Sequence, residues 1–363
     1  MTPWAGITRS YRFVDYATQI YLFLVGALIL FFHNERVPNF QLLLLAHGAG
    51  ILVIHAFIVG SARLPAFAES PVRKGGDECE KGIHRSLLTA IASAAAVGEG
   101  GSASAGSAED VKMPRAAARG ASPGDGVLSF FRHFYPLLLY AFLYRESEQL
   151  NLMFVNRYLD PAFVALEERI FGFQPAVVFM SAFPHPVVSE FFYMSYFSYY
   201  VMIAGVGLAL FFRDREQFWH YVAILSFVFY GCFLVFIFLP VAGPPAFYME
   251  IPRFVDQHRL PYYPLEFPPG ITSGPFFNLM KILYRFFESG GAAFPSSHVA
   301  AAVCALFFSW RYLTRVRHLI LAATVALSFA TVYCRYHYAV DVFAGAATAA
   351  VLIPVGEWLY RRY

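Results

Sequence analysis

Apolar runs long enough to cross a bilayer recur along most of this chain, and a water-soluble fold has no use for so many. A span needs about 20 mostly apolar residues. Such runs occupy 14–32, 41–60, 127–144, 190–212, 218–240, 295–311, 317–334 and 338–359. Of the 363 residues only 14% are charged and 58% are hydrophobic, whereas an ordinary soluble domain carries about a quarter charged residues. The runs predict an all-α polytopic membrane protein with eight spans. Two are weak: 127–144 contains Arg132, His133 and Pro136, and 295–311 is short with a polar start. Six spans is the floor if the first pair is accessory. The opening "MTPWAGITRSYR" has no small-residue cleavage pattern after it, so the first run reads as a retained span.

Between the second and third runs lies "GEGGSASAGSAEDVKMPRAAARGASPGDG", too poor in large apolar residues to build a core of its own. The expected organisation is an N-terminal transmembrane hairpin (1–61), a flexible low-complexity cytoplasmic linker (62–126) and a catalytic transmembrane core (127–363). Two further connections, 145–189 and 241–294, are rich in Pro and aromatic residues and are expected to form ordered caps with interfacial helices. Basic residues concentrate in the short loops "RDREQ" and "RYLTRVRH" and at the terminal "RR", which fall on the side of both termini. The positive-inside rule places that side in the cytoplasm and the cap loops on the periplasmic, exterior or lumenal face.

Other function classes are less favoured by composition. A net charge of +3 with no dense basic run gives nucleic acid no footing. The four cysteines (Cys79, Cys232, Cys304, Cys334) show neither a disulfide framework nor metal-ligand spacing, and Cys232 and Cys304 read as small hydrophobes. No metal or cofactor is called for.

Chemistry is expected from two polar interruptions. In "GGAAFPSSHVAAAV", Pro295 suits a first helical turn, and Ser296, Ser297 and His298 would offer free backbone N–H groups at a helix N-terminus, a natural anion cradle. A plain serine cap is the simpler alternative. In "TVYCRYHYAVDVFAGAATAA", His337 and Asp341 are four residues apart and share a helical face. An acid at that depth is normally partnered; a simple helix cap is again the alternative. One span out, a basic loop and one span back separate His298 from His337, so both return to the same membrane surface. Two histidines, one with a carboxylate, beside an anion cradle describe phosphoryl transfer. His337 would attack phosphorus, Asp341 would stabilise the imidazolium, and His298 would protonate the leaving oxygen. The substrate is expected to be a phospholipid or lipid phosphate.

The pair "FPSSH" and "VYCRYHYAVDVFAG" resembles the second and third signature motifs of the type-2 phosphatidic acid phosphatase superfamily. The resemblance extends over roughly 127–359. It is closest to the branch of inositol phosphorylceramide synthases and related inositolphosphotransferases, to which "LPVAGPPAFY" and "LDPAFVALEERIFGFQP" are also similar. It implies a six-helix core plus the N-terminal hairpin, a nucleophile at His337, a general acid at His298 and an orienting acid at Asp341. The second motif usually reads PSGH, but Ser297 replaces the glycine. The third usually carries an arginine where Thr331 stands, after Ala330, and no KxxxxxxRP first motif is found. Those departures favour headgroup transfer. A lipid-phosphate or isoprenyl-pyrophosphate phosphatase, and a noncatalytic lipid-binding or transport protein on the same scaffold, are the alternatives.

Phosphate also needs cations. Arg335 is the first choice, followed by Arg285, Lys281, Arg253 and Arg259 of the cap loop. Glu167, Glu168 and Arg169 are expected on the polar side of an interfacial helix. The tyrosines of "FFYMSYFSYYVM" are expected in packing.

Overall fold

The computed structural model describes residues 11–61, 123–244, 267–287 and 290–363. The low-complexity segment 62–122, with Cys79, and the loop carrying Arg253 and Arg259 lie outside the described residues. By compactness the chain divides into one unit of Met1–Gly60 with Phe131–Tyr363 and a second of Ser61–Phe130. The site belongs to the first.

The chain is all-α. Its helices are α1 (Phe13–Phe32), α2 (Phe40–Ser61), α3 (Pro123–Leu150), α4 (Asp160–Phe171), α5 (Pro175–Ala182), α6 (Pro186–Arg213), α7 (Arg215–Phe238), α8 (Pro275–Phe287), α9 (Ser297–Tyr312), α10 (Arg317–Tyr333) and α11 (Ala339–Arg362), with a 3-10 turn at Ile271–Ser273. Among the described residues six are long and apolar enough to cross a membrane: α1, α2, α3 from Val127, α6, α7 and α11. The protein is a multi-pass integral membrane protein. The expected spans 295–311 and 317–334 are helices too, but α9 and α10 have only 16 and 17 residues. Most of α9 is buried behind small residues, among them Ala300, Ala301, Ala302 and Ala305. Small side chains let neighbouring backbones close in, the usual device of helix packing in lipid.

Helix α7 is the hub. It is hydrophobic on every side and buried along most of its length, as a core helix must be. Against it pack α1, α6, α9 and α11. Asp214 alone separates α6 from α7, and its carboxylate caps α7 by accepting from the Glu216 N–H at 2.8 Å and the Gln217 N–H at 3.3 Å. The charges that weakened the third run have a use. Arg132 on α3 makes a bidentate pair with Asp15 on α1, Nη1 to Oδ1 at 2.9 Å and Nη2 to Oδ2, and Tyr135 donates to Oδ1 at 2.6 Å. Both charges are buried, so each depends on the other.

Where described, the Pro- and aromatic-rich connections carry the shorter helices α4, α5 and α8. Pro161 and Pro175 open α4 and α5 at the first turns, and Gly172 ends α4 with φ 77, a left-handed C-cap suited to glycine. The chain leaving α7 is tied down twice. The Leu159 N–H donates to the Pro240 carbonyl at 2.8 Å, and Val241 forms a parallel bridge with Ala292, whose neighbour Ala293 donates to the Val241 carbonyl at 2.8 Å. That bridge leads directly into "FPSSH".

Replacing Arg132 by alanine strands the Asp15 charge in the core. Unfolding of the purified protein in detergent should show a loss of about 3–5 kcal/mol, the usual cost of orphaning one partner of a buried pair, while Asp15→Asn with Arg132→Met should recover most of it.

Candidate active site

Two helix N-termini and one tight turn build the site. Ser296 is the N-cap of α9, its hydroxyl accepting from the Val299 N–H at 3.4 Å. The cap shifts the helix start to Ser297. Pro295 therefore lies outside the first turn, contrary to expectation, and is joined to Phe294 by a cis peptide bond. The Val299 and Ala300 amides bond back to Ser296, whereas those of Ser297 and His298 have no acceptor among the described residues. These two open donors stand where the cradle was expected, but Ser296, also expected to offer its N–H, gives it to the Asp341 carbonyl at 3.1 Å.

The second strand of the site is the turn from α10 to α11. The Thr331 carbonyl accepts from both the Tyr336 and His337 N–H groups at 3.0 Å, folding residues 334–338 back over the helix end. Arg335 reaches this turn with φ 61, the left-handed region that non-glycine residues rarely occupy, and such conformations cluster at functional sites. Thr331, at the position where the resembled motif carries an arginine, spends its side chain on the Ser328 carbonyl at 2.8 Å.

Here the two motifs meet. Ser296 N–H donates to the Asp341 carbonyl at 3.1 Å. Gly345, one turn later, allows the approach: a Cβ there would stand 2.4 Å from the Ser296 carbonyl oxygen. The rings of His298 and His337 are 5.6 Å apart between centroids and inclined at 66°. His337 Nε2 lies 3.3 Å from the Ser296 hydroxyl, and Nδ1 lies 3.4 Å from Asp341 Oδ2. The second distance is long for a hydrogen bond and leaves room for tightening once the ring gains charge. Asp341 Oδ2 also accepts from the Tyr338 N–H at 2.9 Å, so the acid both caps α11 and faces the imidazole. Burial pushes the His337 pKa down to about 4, against a hydrogen bond with the Ala293 carbonyl that favours the proton. The ring is neutral at physiological pH, with Nε2 available as a nucleophile.

Two acids that sequence patterning did not single out brace this arrangement. Glu167, expected on a polar surface, is fully buried, while Glu168 and Arg169 are exposed as expected. Its Oε1 accepts from the Ala339 N–H at 2.5 Å and the Val340 N–H at 3.3 Å, completing the cap of α11. Asp160 accepts from the Ala242 and Gly243 N–H groups at 2.9 and 2.8 Å and from the Tyr338 hydroxyl at 3.0 Å. Burial lifts Asp160 to about 6 and Glu167 to about 7, each opposed by these hydrogen bonds.

Of the expected cations, Arg335 is buried, with its guanidinium 5.4 Å from the Phe267 ring centroid. Lys281 and Arg285 are exposed, on the face of α8 away from buried Met280. The inner side of α8 presents Tyr284, stacked at 4.0 Å on Tyr336, the residue before His337. Tyr196 of α6, expected only in packing, places its hydroxyl 3.1 Å from His298 Nε2. No periodicity distinguishes that tyrosine from its neighbours.

A histidine pair, with His337 buried and backed by a carboxylate and His298 half-buried, stands where two helix N-termini meet in a polytopic all-α protein, an arrangement suited to phosphoryl chemistry at a membrane. The profile of the PAP2 superfamily matches residues 161–355, and the chain belongs to that superfamily. No curated protein and no solved structure matches it significantly. The matched region begins within α4 and includes every motif residue above.

Gly345→Ala should separate the two motifs. The added methyl has no space beside the Ser296 carbonyl, so thermal unfolding should show a loss of about 1–3 kcal/mol from overpacking, and turnover should fall further than that loss explains.

Proposed function

We propose that the protein transfers a phosphorus-containing headgroup from a lipid donor to an acceptor hydroxyl through a phosphohistidine. The observation that carries this is the 5.6 Å separation of the His298 and His337 rings, which leaves a phosphorus within a near-attack distance of about 3–3.5 Å of one ring and its leaving oxygen beside the other. His337 Nε2 attacks phosphorus, the bond to the leaving oxygen breaks, and His298 supplies that oxygen with a proton. Asp341 holds the His337 ring and offsets the charge it acquires. Water or an acceptor hydroxyl then attacks the phosphohistidine, with His298 taking the proton.

The Ser297 and His298 amides and the Arg335 guanidinium are the groups assigned to the phosphoryl oxygens, whose charge grows in the transition state. A buried arginine suits that work better than the exposed Lys281 and Arg285, which we assign to lipid headgroups at the membrane surface. Thr331 at the motif arginine position, together with the missing first motif, favours headgroup transfer of the inositolphosphotransferase type over plain monoester hydrolysis. For topology, the site lies at the start of α9, and Arg311, Arg315, Arg317, Arg361 and Arg362 lie at the opposite helix ends. The positive-inside rule then puts both termini in the cytoplasm and the site on the extracytoplasmic face.

Purified protein presented with radiolabelled phospholipids should release or transfer headgroup, and His337→Ala should reduce this to background; unchanged turnover in the variant defeats the mechanism. Dependence on an added inositol- or ceramide-like acceptor selects transfer, whereas free phosphate from a monoester selects the phosphatase alternative. Because His337 is neutral above about 4, the rate of phosphoenzyme formation should not fall through loss of the nucleophile until the pH approaches that value. A nucleophile titrating near the ordinary histidine value would show itself as a loss beginning near pH 6.5.

A further inference from the structure

The geometry points to Tyr196 as a positioning residue that holds His298 by its Nε2–H, so that Nδ1 alone gives and takes the proton. This rests on the proposed role of His298 and goes beyond it, since that role leaves open which nitrogen acts and what fixes it.

Three observations converge. The Tyr196 hydroxyl lies 3.1 Å from His298 Nε2, on a tyrosine with no exposed surface. His298 Nδ1 is buried and has no hydrogen-bond partner among the described residues, although a buried ring nitrogen normally has one. Aromatic rings enclose the imidazole: Tyr196 and Tyr199 lie 5.1 and 4.5 Å from its centroid, and Tyr336 lies 4.5 Å from Tyr196. Such packing disfavours rotation of the ring, and the nitrogen without a partner is the one left for a substrate.

The proton inventory sets the direction. A protonated histidine has two N–H donors. With Nε2–H donating to the tyrosine oxygen, Nδ1–H is the one free to move. As the phosphorus–oxygen bond of the donor breaks, its electron pair stays on the leaving oxygen, the Nδ1–H bond breaks, and an O–H bond forms. His298 is then neutral with its remaining proton on Nε2, still held by Tyr196. Bare Nδ1 can accept the proton of the incoming hydroxyl as its oxygen bonds phosphorus and the bond to His337 Nε2 breaks. The ring regains its proton and the cycle closes. Without the tyrosine oxygen, the neutral ring can carry its proton on either nitrogen, and the Nδ1–H form cannot act as the base.

Tyr196→Phe removes the hydroxyl and keeps the ring. The full chain in detergent micelles would be assayed on a phosphate-ester donor with an alkyl leaving group and on the matched p-nitrophenyl ester, which needs no proton to depart. We expect the single-turnover rate of phosphoenzyme formation, which precedes the base step common to both donors, to fall about 10- to 100-fold on the alkyl donor, within the range that general acid catalysis supplies, and to be nearly unaffected on the nitrophenyl ester. An equal loss on both donors would mean a structural role, and no loss on the alkyl donor would also overturn the assignment. A second measurement does not depend on turnover. Histidine-selective 15N NMR of the wild type should assign neutral His298 as Nε2–H with bare Nδ1, and the Nε2 signal should move in Tyr196→Phe. The opposite tautomer, or an unmoved signal, sinks the proposal. Should His337→Ala still turn over either donor, the phosphohistidine reading fails while the nitrogen assignment still decides the tautomer.

Discussion

One backbone contact underlies the geometry of the candidate site: the Ser296 N–H on the Asp341 carbonyl, made where Gly345 has no side chain to keep α9 and α11 apart. Either motif alone is an ordinary helix start. Joined there, the cap of α9 and the first turn of α11 bring a hydroxyl, two imidazoles and a carboxylate into one enclosure. Their separations are set by rigid helices rather than by loops. A group acting on phosphorus must be placed to within a fraction of an ångström, and backbone-to-backbone packing is the least compliant way to achieve it.

Around that junction, buried acids are used as helix caps. Glu167 and Asp341 satisfy the first amides of α11, Asp160 satisfies those of the loop after α7, and Glu190 accepts from the Phe276 and Phe277 N–H groups of α8 at 2.7 and 3.1 Å. In lipid an unsatisfied amide costs several kcal/mol, and a carboxylate near the positive end of a helix dipole is the group that answers it best. Burial resists the charge, as the raised pKa values of Asp160 and Glu167 record, and the hydrogen bonds resist the shift.

The opposite end of the bundle is arranged differently. His220, Glu357, Arg311 and Tyr312 form a network joining α7, α9 and α11, with His220 Nε2 at 2.5 Å from Glu357 Oε1, Arg311 at 3.0 Å from Oε2 and the Tyr312 hydroxyl at 2.9 Å from His220 Nδ1. His220 Nε2 and Glu357 Oε1 face each other as an ion pair outside hydrogen-bond geometry, and at the site His298 Nδ1 and Asp341 Oδ1 have no hydrogen-bond partner among the described residues.

Much of this was legible in the residues alone. Apolar run length located eight helices, of which six are long enough to cross a membrane and α9 and α10 are shorter than the spans expected, because lipid leaves a backbone no partners but its own. The span-out, span-back distance brought His298 and His337 to one end of the bundle, because helix rise is a constant, whereas the expected shared helical face of His337 and Asp341 is not formed: His337 precedes the N-cap Tyr338 and reaches Asp341 from the turn. Partnerships between distant segments were not legible. Glu167 and Ala339 are 172 positions apart and Tyr196 and His298 are 102 apart. Nothing in "LEERIF" or "FFYMSYFSYYVM" marks which acid turns inward or which tyrosine reaches the imidazole. Those assignments depend on how each helix is rotated about its axis against α7 and α11, and that rotation is set by the packing of many side chains at once. The lengths of α9 and α10 belong to the same class. Protein rather than lipid surrounds most of α9, so it need not extend to the full thickness of a bilayer.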